Sequence, residues 1–188
     1  MLAHVASAAV MGVESYLVRV EVALTSGLPS FTVVGLPQGA VREGRERVSA
    51  ALQSAGVPLP LRRITVNLAP ADVRKEGSAL DLPIALGLLA CAGAVAPERL
   101  EGWAFVGELG LDGGLGPVRG ALSMAAACRA EGLGGLVPPR DNAPEAAVVE
   151  GLEVVGAADL QELLAHLDGG PCLPRVRTDP ARLLQTRP

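Results

Sequence analysis

Lysine is almost missing from this chain: of its sixteen basic residues only Lys75 is a lysine. A phosphate-gripping P-loop needs glycine amides, a lysine for the β and γ oxygens and a following Ser or Thr for magnesium. Lys75 is followed by Glu76, so the chain carries no G-x-x-x-x-G-K-[ST] motif and is expected not to hydrolyse ATP. Aromatic residues are as scarce. Tyr16, Phe31, Trp103 and Phe105 are all there are, and each falls in a strand-like stretch, which leaves no stacking platform for unpaired bases. With two histidines, His4 and His166, and no clustered cysteines, no metal site is expected. Cys91, Cys128 and Cys172 are odd in number and far apart, which reads as reduced thiols in a cytoplasmic protein rather than a disulfide framework. The longest apolar run, 82–96, is shorter than the roughly 20 residues that cross a bilayer. The apolar start, 1–13, lacks the positive charge of a signal peptide. A net charge of −4 excludes a protein that coats nucleic acid indiscriminately, because such binding depends on phosphate neutralisation.

What is present suits one ordered domain: 188 residues, 49% hydrophobic and 19% charged. Period-two alternation predicts strands over 2–11 and 15–24; in the second, Tyr16, Val18, Val20, Val22 and Leu24 share a face from which Arg19 and Glu21 point away. A third strand is expected at 31–34. A helix follows from Pro37 to about Ala55, with Val41, Val48, Ala51, Leu52 and Ala55 on one side. Further on come a strand at 103–109, a glycine-rich tight turn at 110–116 and a helix from Pro117 to about Ala130. Then follow a strand at 135–137, a helix at 143–150, a strand at 152–155 and a helix at 158–167. Residues 169–188 hold four prolines and four arginines without periodicity and read as a linker.

The richest stretch is RITVNLAPADVRKEGSALDLPIA, residues 63–85. Ile64, Val66 and Leu68 alternate with Thr65 and Asn67, as in a strand with one buried face. A charged turn, 70–77, leads to a buried apolar helix. Ser78 and Asp81 have the spacing of a helix start, with either one available as the cap, and Pro83 suits the first turn.

These residues, together with MLAHVASAAVMGVESYLVRVEVAL, GLPSFTVVGLPQGAVREGRERVSAAL and FVGELGLDGGLGPVRGAL, resemble the N-terminal domain of the ComM/YifB family of magnesium-chelatase-like bacterial proteins over most of residues 1–125. The resemblance implies an α+β fold of the ribosomal protein S5 domain 2 type, Lon-protease-like, with helices packed on a mixed sheet. It further implies a domain over 1–168 and a linker over 169–188 toward an AAA+ ATPase domain absent from this chain, where ATP and Mg would bind. The whole protein would be a hexameric motor that moves branched DNA in natural transformation and recombination, and porphyrin chemistry is not implied.

Lon proteases pair a serine in a K-D-G-P-S-A-G stretch with a lysine that takes its proton. Matched to this chain, the serine position holds Ala79 and the lysine position Leu122, so the resemblance does not carry the dyad over. Arg119, the nearest basic residue there, stays protonated and cannot act as a base. A separate dyad of Ser78 with Lys75 is the remaining enzymatic alternative, against a solvated lysine and a capping serine.

Binding is the other reading. Residues 41–76 carry Arg42, Arg45, Arg47, Arg62, Arg63, Arg74 and Lys75 against Glu43, Glu46, Asp72 and Glu76. Arg74 and Lys75 on the turn, with Arg62, Arg63, Arg42, Arg45 and Arg119, are candidates to hold DNA phosphates without sequence preference, single-stranded or branched. The bland reading is a solvated helix face, since Glu43 and Arg47 are spaced i,i+4. A third possibility is an assembly module, with Leu28 and Leu36 as candidate contacts in a ring.

Overall fold

The first 25 residues form a long hairpin, β1 (Leu2–Met11) and β2 (Glu14–Thr25), paired antiparallel along its whole length. The computed structural model describes residues 1–185, except the side chain of residue 183. β4 (Arg63–Ala69) pairs antiparallel with β2, and β3 (Ser30–Val34) lies parallel to β4 as an edge strand. On the other side of the hairpin come β5 (Trp103–Phe105), β8 (Gly135–Val137) and β9 (Glu153–Val154), all parallel. The sheet order is β3-β4-β2-β1-β5-β8-β9, and a two-stranded ribbon, β6 (Glu108–Leu109) with β7 (Leu115–Gly116), stands apart. This mixed sheet with helices packed on it is the architecture expected, and it is consistent with a Lon-like domain.

Alternation decides which helix covers which face. Val5, Val18, Val20, Val22, Ile64, Val66 and Leu68 point to one side, where they pack with α1 (Gly39–Ser54), α2 (Asp81–Cys91) and α5 (Leu160–Leu167). Every residue of α2 is buried, as its unbroken apolar run requires. Each large side chain there contributes about 1.5–3 kcal/mol by leaving water. Ala8, Ala104 and Leu136 point to the opposite side, under α3 (Ala121–Ala130) and α4 (Ala143–Ala146). α3 packs on β1 and the first residues of β2, whereas Arg19 further along β2, Arg63 and Thr32 are exposed.

Several boundaries differ from the sequence reading. The strand expected over 103–109 breaks, because Gly107 turns away to donate its amide to the Ala79 carbonyl at 2.8 Å. The helix expected from Pro117 begins at Ala121; ahead of it Val118 exchanges two hydrogen bonds with the Asn142 side chain, 2.8 and 2.9 Å. The helix expected over 143–150 is only Ala143–Ala146. Neither Ser78 nor Asp81 caps α2 with its side chain; both are drawn into tertiary contacts.

The segment read as a linker from 169 is docked. Arg175 bridges Val155, the Val176 amide donates to the Val154 carbonyl at 2.8 Å, and Leu173 and Val176 pack on the core. A short helix, α6 (Pro180–Gln185), follows, and the last three linker residues lie outside the described ones. The three cysteines are free, Cys91 and Cys128 buried and Cys172 exposed. Burial pushes the Cys128 thiol up to about 11. No helix among the described residues is long and apolar enough to cross a membrane.

Candidate functional site

The structure takes the predicted basic corner apart. Arg62 and Arg63 stand at the start of β4, whereas Arg74 and Lys75 follow its end, so the length of the strand separates the two pairs. Lys75 is the largest correction: its side chain is fully buried, not solvated. Its Nζ donates to the carbonyl of Gly35 at 2.8 Å and to that of Pro70, while its backbone pairs with Leu36 and Gln38. Burial lowers its pKa from the ordinary 10.5, with Asp72 opposing in part. Lys75 is therefore a pin between two loops and cannot reach a phosphate. The Ser78–Lys75 dyad is not assembled either, because the Ser78 hydroxyl donates to the Glu108 carboxylate.

Arg74 is exposed, and its carbonyl accepts the Tyr16 hydroxyl at 2.9 Å. Together with Asp72, Glu76 and the hairpin tip it lines a hollow of about 370 Å³. The hollow adjoins a cleft of about 520 Å³, whose floor includes Ala8, Ala9, Val10 and Met124 and whose walls are 76–80 and 117–119, with Glu108 beside them. Arg119 and Ala79 both line this cleft, while Leu122 stands half-exposed on the first turn of α3. Among the described residues that line the cleft there is no lysine.

Arg45, Arg62 and Arg63 all stand near the start of β3. The Arg45 guanidinium lies 6.0 Å from the centre of the Phe31 ring. Next to Phe31 on β3 is Ser30, which pairs with Arg63 and donates its amide to the Arg62 carbonyl at 3.3 Å. The three arginines thus flank the start of the edge strand from its two faces. None forms an ion pair among the described residues. Arg42 lies on the same helix as Arg45 and donates to the Pro37 carbonyl at 3.2 Å. Leu28 and Leu36, the candidate assembly contacts, flank β3 at its opposite ends. Leu28 is 84% exposed beside Leu61, 85% exposed.

Arg47, read on the surface, is instead tied to the buried Asp81, Nε to Oδ2 at 2.6 Å, and its pair with Glu43 is only 3.9 Å. Asp81 also accepts the Leu109 amide at 3.1 Å. Burial raises the Asp81 pKa, and Arg47 and the Leu109 amide oppose that rise. In the glycine turn 110–116, the amides of Gly110, Gly113 and Gly114 are all consumed internally, as a tight turn rather than a phosphate cradle requires.

Fold and surface define a mixed-sheet α/β domain with an open cleft and a separate arginine edge. The model of the family described as subunit ChlI of Mg-chelatase matches residues 20–142, and the chain belongs to that magnesium-chelatase-like family, among its ComM/YifB members. It is 42% identical over 173 residues to competence protein ComM of Haemophilus influenzae, covering 92% of this chain and 34% of the relative. It is 39% identical over 176 residues to the uncharacterized protein YifB of Escherichia coli, covering 94% and 35%. An uncharacterized protein of Mycobacterium tuberculosis, Rv2897c, is 41% identical over 163 residues, covering 87% and 32%. The chain thus spans about a third of the length of these relatives.

Proposed function

We propose that this domain is a non-catalytic part of a ComM-type protein and holds DNA by its phosphates while an ATP-driven ring, hexameric in the full-length protein, moves branched DNA during natural transformation and recombination. The observation that carries the reading is the trio Arg45, Arg62 and Arg63, exposed and free of carboxylates on one edge of an otherwise acidic chain. Three guanidinium groups at one edge suit a phosphate backbone, and the scarcity of aromatics suits contacts without base preference. The relative from Haemophilus, named for competence, agrees with a DNA-linked role. ATP and Mg belong, on this reading, to parts of the protein outside this chain.

The test is binding to a labelled single strand and a branched junction across a salt series. Arg62→Glu with Arg63→Glu should flatten the salt slope by about one unit for each phosphate that is no longer neutralised, while Arg74→Glu changes it less. Binding that Arg74→Glu weakens and the double variant leaves unchanged would overturn the choice of surface.

A second reading, assembly, is favoured by Leu28 and Leu61, which stand exposed on neighbouring loops at that same edge. Leu28→Asp with Leu61→Asp should leave the domain folded and reduce self-association of the full-length protein in sedimentation. Unchanged sedimentation would remove this face from the assembly.

A further inference from the structure

We infer that a single DNA strand lies flat along the open face of the sheet, held at one end by Arg63 and at the other by Arg19. The inference rests on the DNA reading and gives that strand its path. Alternation places Arg63, Thr65, Asn67 and Ala69 of β4 on the face away from α1 and α2. The register sets Thr25, Ala23, Glu21 and Arg19 of β2 opposite them in the same order. Ser30, Thr32 and Val34 of β3 extend these rows on one side, and His4 of β1, opposite Glu21, extends them on the other. Arg19, Arg63, Thr32 and His4 are exposed, while Thr65, Asn67 and Glu21 are half-buried. From the Arg63 row to the Arg19 row β4 advances six residues, about 20 Å of strand.

The chemistry of these rows says what lies on them. Between the two arginines stand hydroxyls, an amide, alanines and one carboxylate, which is not the apolar surface that a covering helix or an apolar partner needs. Hydroxyl, amide and guanidinium groups are the ones that hold phosphate and sugar. The carboxylate, Glu21, is already engaged: its Oε1 lies 3.7 Å from Arg19 Nε and 4.0 Å from His4 Nδ1. Arg19 Nε also donates to His4 Nδ1 at 3.2 Å. Glu21 therefore tethers Arg19 and limits what it gives to a phosphate. The flat of the sheet selects between forms of DNA. A duplex takes a helix or a two-stranded ribbon into its groove, whereas an unpaired strand can lie along a sheet. No aromatic side chain stands in these rows, so the bases turn outward and are not read. The track ends beyond Arg19, where Glu101 lines the next hollow.

The probe is a fluorescein-labelled oligothymidylate of about twelve nucleotides, followed by anisotropy across a salt series. Asn67→Asp keeps the shape of the side chain and adds a negative charge in mid-track, so it should weaken binding about tenfold. Thr32→Asp, on the exposed edge strand, should weaken it in the same direction. Glu21→Gln frees Arg19 and should tighten binding, steepening the salt slope by up to about one unit. Glu131→Gln, at the end of α3, makes the same change in net charge and should leave binding as it is. No binding by the folded chain would sink the DNA reading and this path with it. Binding that Arg62→Glu with Arg63→Glu weakens, but that Asn67→Asp, Thr32→Asp and Glu21→Gln leave unchanged, keeps the DNA reading and overturns the path. Equal gains from Glu21→Gln and Glu131→Gln would reduce the effect to net charge and overturn the path likewise. Tighter binding of the corresponding duplex overturns the assignment to a single strand.

Discussion

The guanidinium of Arg47 and the carboxylate of Asp81 meet across 34 positions of sequence, Nε to Oδ2 at 2.6 Å and Nη2 to Oδ1 at 3.1 Å. The pair joins the middle of α1 to the first turn of α2, and Asp81 extends the tie to β6 through the Leu109 amide. Buried charge is tolerated there because each carboxylate oxygen has a donor.

Asp81→Ala should therefore cost about 3–5 kcal/mol in urea denaturation, since it strands the Arg47 guanidinium on a half-buried helix face. A cost under about 1 kcal/mol would mean that water replaces the carboxylate without penalty.

Gly44→Ala should also destabilise, against the usual gain of about 1 kcal/mol for replacing a mid-helix glycine. A Cβ at Gly44 would lie 2.6 Å from Asp81 Oδ1, so the added methyl pushes the buried pair apart. The expected result is a lower midpoint of thermal unfolding; a higher one would show that the helix shifts freely.

Lys75→Met should cost about 2–4 kcal/mol, because it leaves the Gly35 and Pro70 carbonyls without their donor. The wild-type chain should show a pH signature that the variant lacks. With the folded pKa lowered, the unfolded chain binds more protons between that value and 10.5, so stability rises with pH through this window. A neutral amine keeps two N–H groups for the two carbonyls, so the pin survives deprotonation. Equal slopes in wild type and Lys75→Met would refute this assignment.

Truncation after residue 168 should lower the melting temperature by several degrees relative to a chain ending at 178, because Leu173 and Val176 leave the core. Identical melting curves would restore the linker reading.

Gly35→Ala should be the most damaging small change at this corner. Gly35 has φ +100, and a Cβ would fall 2.2 Å from the Leu68 carbonyl oxygen, which belongs to a central strand and cannot retreat. A cost above about 3 kcal/mol, or failure to fold, is expected.

Most strands are legible in the sequence, because Val18 to Leu24 and Ile64 to Leu68 alternate cleanly over a sheet covered on one face. The helix boundary at Ala121 is less so: Pro117 suits a helix start locally, and only the Asn142 side chain, 24 positions away from Val118, holds 117–119 extended. The site is harder to read. Arg47 next to Glu43 imitates a surface pair, and its true partner is far along the chain. Lys75 reads as solvated among Asp72, Arg74 and Glu76, since nothing local announces two waiting carbonyls. Its solitude among arginines is the available signal: a slender ammonium with three donors fits a pocket of carbonyls that a broad guanidinium would not enter.

The sheet's two margins are treated differently, and this gives the arginine edge a second consequence. The β9 margin is sealed by 175–176, while β3 is open along its outer side among the described residues. A strand with one unpaired side, ending in the exposed Val34, invites the strands of other molecules, and charge is a common deterrent. Arg45 on one face and Arg63 on the other guard that margin. Replacing them by valine would therefore threaten solubility before it affected any ligand, whereas replacing them by glutamate would keep the guard and reverse only its sign.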